Sequence, residues 1–533
     1  MKDRVTVPDS SPGPATSALR GLARGNKGEW LRLAAGCAML AGAAVYVGAE
    51  AAGSDQILII VIAGVIGMYM AMNIGANDVA NNVGPAVGSG ALTMIGALAI
   101  ATVFEAAGAI LAGGDVIGTI QKGIIDPQAV ADPASFVRLM LAALFAAALW
   151  INLATLIGAP VSTTHAIVGG VLGAGVAAAG FGVVDWAVMG RIAASWVISP
   201  LMGALIAVAF LTLIKALIIY REDRIAAAQT WVPVLVAIMA AAFSAYLTMK
   251  GLKRVWQADV ATIIAISATA GFMIYFIVGP MVVAAGKTMK NTREDVGKLF
   301  TIPLIISAAM LSFAHGSNDV ANAIAPLAAI IHAVGSGGVA SSVAVPFWVV
   351  LVGALGLSVG LALYGGAMVK RVGKEITEID RIRAFTVALS AAITVIIASA
   401  LALPVSSTHI ALGAIFGIGF LREYLENEAE KVRLIREFFG DDTEPSLFDT
   451  AKSEIEWRHE VFERAFKDLR PEGERASYFE TTRMAEAAVV NWQRKKLVRR
   501  AHLRTIIAAW LITVPATATI AGMIYFAIDV LFS

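Results

Sequence analysis

Two short polar phrases are each written twice in this chain, and all four copies lie in apolar surroundings. Asn77-Asp78-Val79-Ala80-Asn81 returns as Asn318-Asp319-Val320-Ala321-Asn322, 241 positions later. Pro160-Val161-Ser162-Thr163-Thr164-His165 returns as Pro404-Val405-Ser406-Ser407-Thr408-His409, 244 positions later. Polar side chains are costly inside a bilayer and are kept there for a site or a pathway. One cassette repeated in both halves predicts a duplicated fold whose halves share that site. This is the pattern of a secondary transporter.

The apolar setting is a property of almost the whole chain. Of 533 residues, 58% are hydrophobic and 15% charged, where a soluble domain carries roughly 25% charged residues. Several runs exceed the roughly 20 apolar residues needed to cross a bilayer, so the chain reads as an all-α polytopic membrane protein. The formal net charge of +2 gives no bias toward nucleic acid. Six histidines and one cysteine leave little material for a zinc or haem site, and no cofactor is expected. Cys37 cannot pair within the chain and lies in an apolar run, where it reads as a packing residue.

Charge is concentrated in one place. Residues 422–504 hold 17 of the 41 Lys/Arg and 18 of the 39 Asp/Glu, so a solvated or membrane-surface helical segment is set into the apolar chain. Its basic end, Arg494 to Arg504, and the loop with Lys287, Lys290, Arg293 and Lys298 both read as cytoplasmic by the positive-inside rule. The expected order is a disordered polar N-terminus (1–28), an extra transmembrane helix (29–50) and a first transport repeat (57–220). Linking helices with a cytoplasmic loop (221–300), a second repeat (301–421), the charged segment (422–504) and a last helix (505–533) follow. A weaker match, Leu111-Ala112-Gly113-Gly114 with Lys122 on Leu363-Tyr364-Gly365-Gly366 with Lys374, falls between the cassettes in both halves.

The cassette chemistry suits an anion moved with cations. Asn77 and Asn81, like Asn318 and Asn322, are four apart and share a helix face. Gly75, Gly84, Pro85, Gly316 and Pro326 around them favour discontinuous helices, whose new ends expose N–H groups for an anion and carbonyls for a cation. The Pro-hydroxyl phrases suit re-entrant hairpins in which Ser162, Thr163, Thr164, Ser406, Ser407 and Thr408 cap a helix start or donate to a ligand. Asp78 and Asp319 would repel an anion unless a cation lay between, which makes them candidate Na⁺ ligands or proton carriers. His165 and His409 could carry protons or act as donors locking the hairpin tips. His332 reads as structural. Glu105 is a lone acid in an apolar span, functional or paired with a buried partner.

These phrases resemble the inorganic phosphate transporter family of Na⁺- or H⁺-coupled symporters. The match extends to Phe104-Glu105, to Lys122-Gly123-Ile124-Ile125-Asp126 and to His315-Gly316-Ser317-Asn318-Asp319, and covers about 57–421. The resemblance implies an inverted-repeat fold, phosphate uptake through a cytoplasmic membrane and a homodimer. It implies that Asn77, Asp78, Asn81, Asn318, Asp319 and Asn322 line the substrate site with the six hydroxyls. Asp78, Asp319 and Glu105 would then handle the coupling cation. A second glutamate of sodium-coupled relatives is missing here, where Phe385-Thr386-Val387-Ala388-Leu389 has Ala388 in its place; H⁺ and Na⁺ coupling therefore both stay open. Sulfate is the alternative substrate. A membrane-embedded enzyme lacks its expected His/Asp or metal cluster, and a channel would give steady flux without coupling.

Overall fold

The computed structural model describes residues 27–113, 124–126, 129–130, 132–251, 256, 258–339, 345–375, 379–401, 403–439 and 500–532. Among these residues the fold is helical and has no named strand. The order is α1 (Lys27–Glu50), α2 (Ile57–Gly88), α3 (Met94–Ala112), α4 (Pro133–Ile157), α5 (Thr163–Ala179) and α6 (Trp186–Ile214). Next are α7 (Arg224–Tyr246), α8 (Val260–Gly286), α9 (Arg293–Leu299), α10 (Thr301–Asp319) and α11 (Ala321–Ser336). The last are α12 (Phe347–Glu375), α13 (Arg381–Ala400), α14 (Ser407–Phe439) and α15 (Arg500–Phe532). Eleven spans among the described residues are long and apolar enough to cross a membrane. The chain is a multi-pass membrane protein. The N-terminal 26 residues, Gly114, Asp115, Lys122 and most of 422–504 lie outside the described residues.

Local chemistry sets the helix starts. Asp132 accepts from the Ser135 N–H with Pro133 in the first turn, and Asp185, Asp223, Asp259 and Asp380 cap α6, α7, α8 and α13 in the same way. Gly158 ends α4 in the left-handed region at φ 72°. The break expected at the first cassette is absent, because α2 runs unbroken through it and contains Pro85. Pro85 lies in the last turns of the helix, so its missing N–H ends the helix soon after rather than splitting it. At the second cassette only Val320 interrupts the pattern, between α10 and α11. Cys37, expected to pack, is on the exposed side of α1.

The glycines around the cassettes are contact points. A Cβ on Gly75 would strike the Leu357 carbonyl, and one on Gly360 the Met72 carbonyl. In the other half, Gly316 lies against the Glu105 carbonyl and Gly108 against that of Phe313. The pairs map onto each other by constant shifts: 241 from α2 to α10, 252 from α3 to α12. The weak Leu-x-Gly match follows the same rule, since Gly113 meets Val320 and Gly365 meets Val79. Gly169 and Gly173 of α5 cross Val514 and Ala518 of α15, while Gly413 and Gly417 of α14 cross Pro200 and Ala204 of α6. The last helix thus stands to α5 as α6 stands to α14.

The two cassette-bearing stretches run in opposite directions. Arg381, at the start of α13, donates to Thr301 Oγ1 at the start of α10 (3.1 Å) and to the Gly90 carbonyl beyond the end of α2 (3.4 Å). At the opposite end, Gln56 before α2 and Gly337 after α11 line one cavity of about 600 Å³ with Asp132 and Arg138. Residues 418–499 form a second compact unit, of which α14 to Phe439 is described.

Overpacking a crossing of this kind costs about 1–3 kcal/mol. Gly360→Ala is therefore expected to lower thermal stability in detergent by that amount. Gly42→Ala, at a position with no neighbour within 4 Å, should leave it unchanged or slightly raised. Equal melting temperatures for the two variants would refute the interlocking role.

Candidate functional site

Both cassettes and both Pro-hydroxyl phrases converge on one buried cluster. Asn77 Nδ2 donates to Thr155 Oγ1 (3.0 Å) and to the Ala159 carbonyl (3.3 Å), which fastens α2 to the end of α4. Asn318 repeats this with Ser399 Oγ (3.1 Å) and the Leu403 carbonyl (3.5 Å) at the end of α13. Both shifts are 244 along the chain on the hairpin side. Asn77 and Asn318 therefore hold the hairpins in place.

The second asparagine of each cassette reaches into the other half. Asn81 Nδ2 donates to Thr408 Oγ1 (2.9 Å), and Asn322 Nδ2 donates to Thr163 and Thr164 (3.3 and 3.2 Å). Thr408 in turn donates to Asp78 Oδ1 (3.0 Å), and Thr163 donates to Asp78 Oδ2 (3.0 Å) and more distantly to Asp319 Oδ2 (3.4 Å). Ser407 donates to Asp319 Oδ2 (3.0 Å), and Thr164 to the Val405 carbonyl (3.0 Å). Ser162 and Ser406 cap the starts of α5 and α14, accepting from the His165 and His409 N–H groups at 3.1 and 3.2 Å. All twelve residues expected to line a substrate site are buried within this network or its anchors. The hydroxyl protons of Thr163, Thr164, Ser407 and Thr408, however, go to carboxylates and a carbonyl of the protein. A buried carboxylate needs such donors more urgently than a neutral cradle does.

Glu105 joins the same cluster through a buried imidazole. His315 has Nδ1 3.2 Å from Glu105 Oε1 and Nε2 3.2 Å from Asp319 Oδ2 and 3.6 Å from Asp78 Oδ2. Asn82 Nδ2 donates to Glu105 Oε1 at 2.6 Å. All five side chains are buried. One ligand atom each from Asp78, His315 and Asp319 lies within 4.8 Å of the others, a spacing that a cation could bridge. His315 had one sequence signal, its place in the matched phrase before Asn318. It has no counterpart in the first cassette, where the position 241 earlier is Ile74, so a search for duplicated residues passes over it. A further anchor, Tyr246 of α7, pairs its hydroxyl with Ser317 at 2.6 Å.

The chain is similar to known proteins over most of its length. The family model described as the phosphate transporter family matches residues 74–521. The chain belongs to the phosphate transporter family. A relative from Helicobacter pylori (strain J99) bearing the name phosphate permease is 45% identical over 517 residues, 94% of this chain and 95% of its own. That match is too long to leave the charged segment 422–504 outside it. A Pyrococcus abyssi protein of the same name is 38% identical over 360 residues, 67% of this chain and 88% of its own. A solved structure described as the sodium-dependent phosphate transporter has 30% identity and a TM-score of 0.71, and covers 89% of this chain and 100% of its own.

Within this phosphate transporter family member, Glu105 and Ala388 are not counterparts. Ala388 is buried on α13. The position that meets Gly75 as Glu105 meets Gly316 is Leu357 of α12. Asn82, Glu105 and His315 therefore correspond to Ala323, Leu357 and Ile74, and the polar trio of one half is apolar in the other.

His165 and His409 sit behind the hydroxyls in a row of four rings. His165 stacks on Trp196 (3.8 Å between centroids) and meets His409 edge-on (4.4 Å), and His409 stacks on Trp510 (3.7 Å). The rings face the main chain of the opposite tryptophan, outside hydrogen-bond geometry, and neither imidazole makes a hydrogen bond. They secure the hairpin tips by ring contact. Each such pair contributes about 0.5–1.5 kcal/mol. His165→Gln, which removes two ring contacts, is expected to cost about 1–3 kcal/mol in a thermal melt. His165→Phe should stay near wild type in stability and uptake. The reverse ranking would show that the ring nitrogens matter.

Proposed function

We propose that the chain is a secondary active symporter that imports inorganic phosphate together with H⁺ or Na⁺ by alternating access. The observation that carries this reading is the closure of Asp78 and Asp319 by hydroxyls from both hairpins at the facing starts of α5 and α14. Helix starts present N–H groups and a positive dipole end to an anion. Asn81, Asn322, Ser162, Thr163, Thr164, Ser406, Ser407 and Thr408 would surround the anion, with Asn77 and Asn318 holding the hairpins that carry those hydroxyls.

Asp78, Asp319 and Glu105, joined by His315, would bear the coupling cation. Three buried carboxylates face one imidazole, so an incoming anion enters a region already short of positive charge. Each negative charge moved inward also costs about 2.3 kcal/mol per 100 mV of inside-negative potential. A co-transported cation relieves both costs.

The opposed directions of α2 and α10–α11, with the constant shifts between contacts, support two inverted repeats. The first would run over 57–220. The second would begin at 301 and include α15 beyond 421, with the charged residues 422–504 as a cytoplasmic insertion between α14 and α15. The short α5 and the start of α14 would be the returning arms of re-entrant hairpins. The protein would work as a homodimer in the cytoplasmic membrane, with one repeat-built bundle rocking against the other.

Radiolabelled phosphate uptake into proteoliposomes under imposed Na⁺ or H⁺ gradients tests this. Uptake is expected to accelerate with one of the two gradients. Asp78→Asn and Glu105→Gln are each expected to lower coupled uptake by at least about tenfold, since each removes a charged hydrogen-bond acceptor contributing roughly 1.5–3 kcal/mol per bond. Phosphate entry indifferent to both gradients would rule out symport.

A further inference from the structure

Four of the six hydroxyls of this site donate to the protein itself, so the acceptors left without a donor bear on what a ligand must bring. Thr408 donates to Asp78 Oδ1, Thr163 to Asp78 Oδ2, Ser407 to Asp319 Oδ2 and Thr164 to the Val405 carbonyl. Because the Thr408 proton is committed to Asp78, Thr408 accepts from Asn81, which fixes Nδ2 as the Asn81 atom facing it. Four side-chain oxygens of the cluster are left without a donor, Asn82 Oδ1 and Glu105 Oε2 around His315 and two more on the cassette residues that meet the hydroxyls. Asp319 Oδ1 and Asn81 Oδ1 are buried and accept no hydrogen bond, on residues 0% and 2% exposed. Both oxygens of Asp78, by contrast, are occupied by protein donors.

A buried acceptor without a donor costs about 1–3 kcal/mol, and more when charged. The site is thus built for a ligand that carries hydrogen-bond donors as well as negative charge. Near neutral pH phosphate carries one or two P–OH groups, each a donor. Sulfate is the same tetrahedron with lone pairs only, and those would be pressed against the carboxylate oxygen of Asp319.

We propose that Asp319 Oδ1 and Asn81 Oδ1 accept a proton-bearing oxygen of the substrate, and that selection of phosphate over sulfate is made there. This rests on the reading of the cassettes as an oxyanion site. Asp319 then has two faces: Oδ2 joins Ser407 and His315, and Oδ1 reads the substrate. Asp78 has no such free oxygen and takes no part in the choice between oxyanions.

The test is equilibrium binding of labelled phosphate to the full chain in detergent near neutral pH, with unlabelled competitors. Arsenate carries the same acidic hydroxyls and should displace phosphate within about tenfold of phosphate itself, whereas sulfate should fail at roughly a thousandfold excess. Monofluorophosphate, a phosphate-like dianion without a hydroxyl near neutral pH, should be excluded as sulfate is, and this arm needs no mutation. Asp319→Asn, which can donate where the wild type only accepts, should narrow the phosphate-to-sulfate ratio by about a hundredfold. Asp78→Asn should leave that ratio unchanged even where binding weakens.

Sulfate or monofluorophosphate displacing phosphate as well as arsenate does would overturn the proposal. So would an Asp319→Asn protein that keeps the wild-type ratio while losing its response to Na⁺ or H⁺, an outcome that assigns Oδ1 to the cation. Failure of the wild type to bind phosphate at all would remove the oxyanion site itself, and the proposal with it.

Discussion

Asp78 and Asp319 are carboxylates with no access to solvent in the middle of a membrane protein, and most of the architecture answers the problem of keeping them there. Burying one charged group costs several kcal/mol even after relaxation, and an apolar helix bundle has few donors to offer. Here the donors are Thr163, Ser407 and Thr408, at the starts of α5 and α14. For those helix starts to reach the carboxylates, α4 and α13 must end beside the cassettes, which Asn77 and Asn318 secure by bonding their last turns. For the cassette helices to lie close enough together, their crossings with α3 and α12 must be stripped of side chains, hence Gly75, Gly108, Gly316 and Gly360. The polar site and the apolar packing around it are one construction.

The donors are also exchanged between the halves. Asp78 receives Thr408 from the second half and Thr163 from its own, while Asn322 reaches back to Thr163 and Thr164. Asp319 likewise takes Ser407 from its own half and, at 3.4 Å, Thr163 from the other. Any motion of one hairpin against the opposite cassette therefore exchanges specific hydrogen bonds instead of stretching a continuous surface.

Much of this was legible in the sequence, and the misses have physical causes. The duplicated phrases stood out because Asn, Asp, Ser and Thr are rare in apolar runs, and the capping of α5 and α14 followed from the hydroxyls after each proline. Glycine was ambiguous: Gly75 and Gly316 read as helix breakers, but the same missing Cβ permits a backbone crossing, and only the neighbour decides between the two. Nothing local to α2 marked it as continuous. A sequence does not reveal that Thr163, Ser407 and Thr408 donate to Asp78 and Asp319, or Thr164 to the Val405 carbonyl. His315 and Asn82 escaped attention because duplication was the guide and neither has a polar counterpart. Glu105 was compared with Ala388 through a family phrase, whereas the contacts of Gly75 and Gly316 pair it with Leu357.

That last pairing bears on how the proposed symport would place two unlike ions in a duplicated protein. Where the chain would surround the proposed anion, its halves match: Asn with Asn, hydroxyl with hydroxyl, helix start with helix start. Where it would manage charge, they do not. Asn82, Glu105 and His315 form a bonded chain on the α3 and α10 side, against Ala323, Leu357 and Ile74 on the other. A second copy of Glu105 would add a fourth buried carboxylate a short distance from the first three, with like charges repelling in a medium of low dielectric. A second His315 in place of Ile74 would neutralise part of the charge that the proposed coupling cation is meant to meet. Duplication therefore suits the anion cradle and would work against the charge balance. A symmetric cradle beside a one-sided charge is the arrangement on which anion and cation can share one site.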